Sequence, residues 1–404
     1  MAVAARPASS APLPSTAVRL TSLDVFRGAT MLFMASEIME IAHVARQYPE
    51  SGVARFLASA LDHREWVGCA PWDLIQPAFM FMVGVALPFS IASRRARGQP
   101  FARMFAHSVV RALVLIALGI FLRSQHRQQT YFTFEDVLTQ IGLGYVFLFL
   151  LGWARTRVQW IAAAAILLAY WAAFALYPLP PAGFDTTAVG VRAGWPHHLH
   201  GFAAHWDKNT NLAHYVDVWF LNLFPRERPF AYNGGGYLTL NFVPALATMI
   251  FGLLAGGLLR STRTDREKLM ALCVWGGAGI AAGALLHVTG LCPIVKRIWT
   301  PSWTVFSAGW VVLMLAALYY VIDVRRWRGW TWPFVVVGAN SIAMYVLVHV
   351  ATDYVERSLV IHLSRVPFEL LGPSFAPIFL GASTLAIFWL ILYWMYRQRI
   401  LIRI

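Results

Sequence analysis

Ten apolar segments of about 18 to 22 residues recur along nearly the whole chain, each long enough at about 1.5 Å per residue to cross roughly 30 Å of hydrocarbon. They fall near 24–45, 73–93, 104–123, 135–153, 158–177, 238–259, 269–288, 302–322, 333–353 and 375–396. The composition agrees: the 404 residues are 58% hydrophobic and 13% charged, with 17 Trp, 14 Tyr and 27 Phe, more than a soluble core of this size needs. The expected class is an all-α polytopic membrane protein with about ten transmembrane helices (10–11) and one long extracytoplasmic loop.

No 20 to 50 residue repeat and no composition shift divides the chain, so 21–404 reads as a single transmembrane domain. Residues 1–20 are rich in Ala, Pro and Ser with no apolar run before Leu23, and read as a disordered cytoplasmic tail. The stretch 178–237 is too polar for lipid and too long for a connector, and is expected to fold as a cap.

Basic residues near helix ends are held on the cytoplasmic side. The loops after even-numbered segments are dense in them: Arg94, Arg95, Arg97 and Arg103; Arg155 and Arg157; Arg260, Arg263, Arg266 and Lys268; Arg325, Arg326 and Arg328; Arg397, Arg399 and Arg403. The long loop carries only Arg192, Lys208, Arg226 and Arg228. Both termini are therefore expected in the cytoplasm, with His63 and the long loop on the opposite face. The net charge of +14 follows from these loops and from attraction to anionic lipid in the bilayer, and gives no reason to expect nucleic acid as a partner.

Polar groups beside or inside the apolar runs carry the chemistry. His63 precedes Arg64, Glu65, Trp66 and Asp73 at the entry to the second segment, where an imidazole is either an interface anchor or a base. In the first segment, Glu37, Glu40 and His43 recur every three residues and are expected on one helix face, lining a wet interior or forming a structural network. Asp24 and Arg27 read as an interfacial pair. Cys69, Cys273 and Cys292 form no metal pattern; Cys69 and Cys292 both lie in expected outer loops, where either a disulfide or two small apolar side chains fits. His197, His198, His200, His205 and His214 do not match a known zinc spacing, so no metal is expected. The glycines of 234–236 read as a hinge. GLLAGG at 252–257 is a small-residue stripe on which a homodimer would rest.

Several motifs in order carry a resemblance: SLDVFRG at 22–28; His63, Trp66, Gly68, Asp73, Leu74 and Pro77; VLTQIGLGY at 137–145; NTNLAHYVD at 209–217; GGGYLTLNFVPALATMIFGLLAG at 234–256; Lys296, Trp299 and Ser302; and GANSIAMYVLVH at 338–349. Together they resemble the transmembrane acyltransferase family of heparan-α-glucosaminide N-acetyltransferase and its bacterial relatives. The resemblance implies an integral multi-pass enzyme, here of a bacterial inner membrane, that takes the acetyl group of cytoplasmic acetyl-CoA to an amino sugar or other glycan acceptor on the far face.

By the same resemblance His63 falls on the family's catalytic histidine, acting either as general base or as the group that becomes acylated. Asp73 is expected to orient or charge-balance it, and Glu37 is a third catalytic candidate. Asn340 and Ser341 are candidate donors to the thioester oxygen, and Lys296 is a candidate holder of an anionic part of donor or acceptor. Trp66, Gln140, Trp299 and Ser302 are further binding candidates. Two departures, Glu37–Ile38 where the family commonly has an Asn and Asn233 to Gly236 in place of Asp-Pro-Glu-Gly, widen the expected acceptor beyond glucosamine. A transporter or flippase is the alternative of another class, against which stands the lack of inverted repeats or paired broken helices.

Overall fold

The computed structural model describes residues 20–402, so the expected tail up to residue 19 and Arg403 lie outside the described residues. Fifteen α-helices follow one another among them. The first three are α1 (Thr21–Ala35), α2 (Ile41–Arg46) and α3 (Gly52–Ala60), leading into α4 (Ile75–Ala96), α5 (Phe101–Arg123), α6 (Val137–Leu151) and α7 (Thr156–Ala175). After α8 (Leu212–Phe220) come α9 (Phe242–Arg260), α10 (Asp265–Val288) and α11 (Pro301–Leu318), then α12 (Trp332–Ala339), α13 (Ser341–Val350), α14 (Thr352–Leu363) and α15 (Ala376–Arg397). The only β pairing among the described residues is an isolated antiparallel bridge, Val67 to Val295.

Local chemistry sets the boundaries. Asp136 opens α6 by accepting from the backbone N–H groups of Leu138 and Thr139 at 2.9 and 3.1 Å. Thr264 and Glu267 form a reciprocal capping box at α10. Thr300 caps α11, whose first residue is Pro301, a position where a missing N–H costs nothing.

Among the described residues, seven stretches are long and apolar enough to cross a membrane: Pro71–Ala96, Phe101–Arg123, Thr156–Ala175, Thr239–Arg260, Asp265–Val288, Pro301–Val324 and Pro373–Arg397. The other three expected spans are helical but not continuous rods of that length. The expected 24–45 span stops at Ala35, passes through a 3-10 turn at Ser36–Met39, and breaks where Glu40 takes a left-handed conformation at φ 48°. The expected 135–153 span is α6, 15 residues long. The expected 333–353 span is the pair α12 and α13, bent by 77° at Asn340. A hydropathy run registers apolar length and is blind to such breaks.

α9 is the buried axis of the bundle, and α4 lies along it. Methyl groups added at Gly84, Gly252 or Gly256 would collide with the opposing main chain at Met249, Phe81 and Val85, so the two backbones meet without side chains between them. Gly252 and Gly256 of the GLLAGG stripe therefore face α4 inside the chain, while Gly257 faces outward. Around this axis Met31, Met80, Leu148, Met249, Trp303 and Phe388 bring α1, α4, α6, α9, α11 and α15 into one core.

The 178–237 segment carries ordered structure of its own: 3-10 turns at Thr186–Val189, Gly201–Trp206 and Leu221–Leu223, and α8, which begins where the Asn211 side chain accepts from the His214 N–H. Its apolar core joins Trp195 and Trp206 to Trp66, Phe174, Val295 and Ile298. The cap thus sits on the loops that lead into α4 and α11.

Candidate active site

The loop after α3 and the loop before α11 are stapled together. Gly68, at φ 110°, donates its N–H to Ile294 O at 2.9 Å, and Val67 pairs with Val295. Ser302 and Thr300 fasten the second loop from below, their hydroxyls donating to Pro293 O at 2.6 and 2.8 Å. Trp299, in the left-handed region at φ 48°, is buried and donates from Nε1 to Thr248 Oγ1 at 3.3 Å. These contacts fix the residue between Val295 and Arg297, so that Lys296 points at His63.

His63 Nδ1 lies 2.8 Å from Asp73 Oδ1 and 2.9 Å from Lys296 Nζ, and Lys296 Nζ lies 3.3 Å from the same Asp73 oxygen. Asp73 Oδ2 accepts from the N–H groups of Ala70 at 2.9 Å and Arg64 at 3.3 Å. The Asp73 carboxylate, fully buried, is thus satisfied on both oxygens and neutralised by one cation. Burial pulls the Lys296 pKa below the ordinary lysine range, against the opposing pull of Asp73. The His63 side chain keeps 36% of its surface exposed. With Nδ1 engaged, Nε2 is the nitrogen left for a substrate. Nearby, burial pushes the Cys69 thiol up to about 12, so Cys69 is a poor nucleophile.

The cap closes over this cluster. Trp66 donates from Nε1 to Trp206 O at 3.2 Å and meets Trp195 edge-on at 5.7 Å. Trp195 donates to Glu65 at 2.6 Å. Asn233 donates to Glu135 Oε2 at 2.6 Å, and Arg297 donates to Gly235 O at 2.7 Å and to Arg64 O at 3.3 Å. The glycine stretch is therefore a clamped turn, with Gly236 at φ 77° beside the Trp66 ring. His197 pairs with Glu65 and His198 with Asp207, so those two histidines are held by carboxylates.

A cavity of about 700 Å³ opens at the other end of α4. Arg27, Arg94, Arg97 and His107 line it toward the basic end of α4, with Asp24 beside Arg27; Arg111, from the middle of α5, stands deeper, and Phe79, Val137 and Ile141 make an apolar stretch of wall. From Arg97 to Phe79 the wall follows α4 for about 27 Å, and the axial rise from Phe79 to Asp73 is only about 10 Å.

Of the expected site residues, the fold brings Asp73 and Lys296 to His63 and leaves the others apart. Lys296 is spent on His63 and Asp73, which corrects its expected role as an anion holder. Ser302 and Trp299 support the Lys296 loop, and Trp66 supports the cap. Asn340 is tied to the C-terminal segment, its Nδ2 donating one N–H to Ile400 O and its Oδ1 accepting from Ile402 N–H, both at 2.9 Å. Ser341 lies on the cavity wall, as do Asp24 and Arg27. Glu37 and Glu40 are exposed, and the break at Glu40 removes the shared face expected with His43. Cys69 and Cys292 are both free, with Cys292 Sγ 3.4 Å from the Ser302 hydroxyl. Gln140 is fully buried and accepts from Gln76 Nε2 at 3.3 Å.

Sequence reasoning reads Arg94 and Arg97 only as topology signals and passes over Arg111, His107 and Gln76. The available signal was Arg111: an arginine in the middle of an apolar span needs a partner or a wet wall. Its guanidinium lies over the Tyr145 ring at 4.6 Å and donates to the Tyr145 hydroxyl at 3.2 Å.

No protein-family model matches the chain. Over 378 residues, 84% of this chain, it is 22% identical to heparan-alpha-glucosaminide N-acetyltransferase of Mus musculus. The match to the protein of the same name in Homo sapiens is 22% over 374 residues, 83% of this chain. The chain spans about half the length of the curated relatives it matches, 55% and 53%. Along most of its own sequence, the chain is thus distantly similar to heparan-alpha-glucosaminide N-acetyltransferase.

Proposed function

We propose that the chain is a membrane-embedded acyltransferase that moves an acetyl group from acyl-CoA in the arginine-mouthed cavity to an amino sugar or other glycan at His63 on the opposite face. The observation that carries this reading is the shape and chemistry of that cavity. It is long, cationic at one end and apolar at the other, and it ends about one helical turn short of the Gln76 to Asp73 stretch. An anionic head on a long uncharged arm fits such a space. Arg94, Arg97 and Arg111 would hold the phosphates by charge-assisted hydrogen bonds, and the thioester supplies the acyl group.

The protein's own part in the chemistry follows from the His63 cluster. Asp73 Oδ1 and Lys296 Nζ both meet Nδ1; in the tautomer whose Nδ1–H donates to Asp73, Lys296 gives its protons to the carboxylate rather than to the ring, and Nε2 carries the lone pair. Nε2 then takes the proton of an attacking amine or hydroxyl, or itself attacks the acyl carbon; both use the same exposed nitrogen. Lys296 cancels the charge of Asp73, so the buried pair presents a dipole to the ring rather than a net charge. The arginine-rich ends of α4, α9 and α15 support a basic mouth in the cytoplasm and His63 outside. The ten apolar segments, taken with α6 and the bent pair as part of the membrane domain, fit the same arrangement.

The transporter reading retains one observation, the 77° break at Asn340. It is a single broken pair among the described residues, where an inverted-repeat transporter has two in corresponding positions. Purified protein incubated with radiolabelled acetyl-CoA and glucosamine, beside His63→Ala, separates the two. Acetylated sugar formed by the wild type and lost in the variant supports transfer; labelled acetyl-CoA left intact by both sinks it.

A further inference from the structure

The cavity-facing stripe of α4, from Arg97 back through Ser90 and Val83 to Phe79, does not stop at the cavity wall. Three residues beyond Phe79, on the same helix face, stands Gln76; three residues further is Asp73, the partner of His63. Gln76 is half-buried within a stretch otherwise made of Pro77, Ala78 and Phe79, where an amide has no packing reason to be. It is held by one contact, its Nε2 donating to Gln140 Oε1 at 3.3 Å. Gln140, on α6 beside the cavity residues Val137 and Ile141, is completely buried, and its own Nε2 has no partner among the described residues.

Gln76 keeps at least one unspent N–H whichever way the two amides are oriented. As drawn, Gln76 spends one N–H on Gln140 and keeps the second. With both amides turned over, Gln76 accepts from Gln140 and keeps both. Either way an unspent donor stands between the apolar end of the cavity and the catalytic imidazole. A ligand oxygen arriving beside Gln76 finds that donor available without breaking the contact to Gln140.

We propose that Gln76 donates a hydrogen bond to the carbonyl oxygen of the donor thioester, with Gln140 as the residue that positions it. This inference rests on the acyl-CoA reading of the cavity. As the acceptor nitrogen or oxygen bonds to the carbonyl carbon, negative charge develops on the carbonyl oxygen and Gln76 stabilises it while keeping its own proton. The carbon–oxygen double bond then re-forms, the carbon–sulfur bond breaks, and the proton that His63 Nε2 took from the acceptor passes to the departing sulfur. No oxidant, metal or further reactant is required.

The test compares Gln76→Leu and Gln140→Leu with wild type in acetyl transfer, and measures the Kd of free CoA by calorimetry. Gln76→Leu is expected to lower kcat by about 10²- to 10³-fold, the loss typical of one oxyanion donor, with the Kd of CoA within about threefold of wild type. Gln140→Leu is expected to give a smaller loss of kcat, again with CoA binding kept. The assignment is overturned if Gln76→Leu keeps kcat within about threefold, or if the Kd of CoA rises by the factor that activity falls. Should the Leu variant fail to purify, Gln76→Met, which keeps the length of the side chain, is read by the same criteria. A wild type that transfers no acetyl group would defeat the acyltransferase reading; an active wild type with an unimpaired Gln76→Leu defeats this inference alone.

Discussion

Lys296 Nζ stands 2.9 Å from His63 Nδ1, a contact made across 233 residues of sequence. Both groups also touch Asp73 Oδ1, so one carboxylate oxygen is shared between an imidazole and an ammonium. Removing Lys296 leaves Asp73 as a buried charge with no cation, and breaking a buried pair in this way costs about 3–5 kcal/mol. Lys296→Met should therefore lose both thermal stability and activity. The double variant Asp73→Asn with Lys296→Met should recover most of the stability and none of the activity, measured as Tm and kcat on the same preparations. Recovery of activity in the double variant would show that the charges, and not the orientation of His63, were what mattered.

Arg94 and Arg97 stand at the cavity mouth and Arg111 deeper on its wall, and a hydrogen bond to a charged group contributes about 1.5–3 kcal/mol. Alanine at Arg94 or Arg97 should raise the KM for acetyl-CoA about tenfold or more while changing kcat much less. Arg111→Ala also loses the contact to Tyr145 and should weaken both binding and stability. Steady-state kinetics with acetyl-CoA as the varied substrate, together with Tm, checks each; an unchanged KM in all three would move the donor elsewhere.

Gly252 lies against the main chain of Phe81, whereas Gly257, on the same stripe, has open space beside it. Gly252→Val should force α4 and α9 apart, at a cost of about 1–3 kcal/mol or more, and reduce the yield of monodisperse protein. Gly257→Val should leave yield and Tm near wild type. Equal damage from both would place the stripe at an interface between chains.

Asp217 on α8 is buried; its Oδ2 accepts from Thr239 N–H at 2.9 Å and its Oδ1 has no partner among the described residues. Burial raises its pKa to about 7. The folded state therefore binds a proton more tightly than the unfolded chain, whose carboxyl titrates near 4. This group's contribution is complete below about pH 4 and is lost as pH rises through about 7. The cap should resist proteolysis better at pH 5 than at pH 8, and Asp217→Asn should flatten that dependence and raise the Tm at pH 8 by at least about 2 °C. A wild-type protease profile flat between those pH values would contradict it.

Particular residues show what a sequence can disclose here. His63 and Asp73 were legible because a polar cluster at the mouth of an apolar run is conspicuous, and both lie on one short stretch. The role of Lys296 was not, because it depends on the Val67 to Val295 bridge between loops that are neighbours only in space. The ten apolar segments were legible as helices. The breaks at Glu40 and Asn340 were hidden, since a left-handed residue or a bent pair leaves no trace in hydropathy. That Asn340 anchors the returning C-terminal segment through its amide is likewise invisible in the sequence. The small residues of GLLAGG announce close packing but not the partner, which proved to be α4 of the same chain.

Sidedness gives the most direct measurement. With the protein reconstituted in sealed vesicles, labelled acetyl-CoA is supplied outside and amino sugar inside. The expected result is labelled sugar accumulating in the lumen with wild type, none with His63→Ala, and a reduced rate with Arg97→Ala. Labelled sugar that forms only when donor and acceptor share one compartment would contradict a donor cavity and an acceptor site on opposite faces.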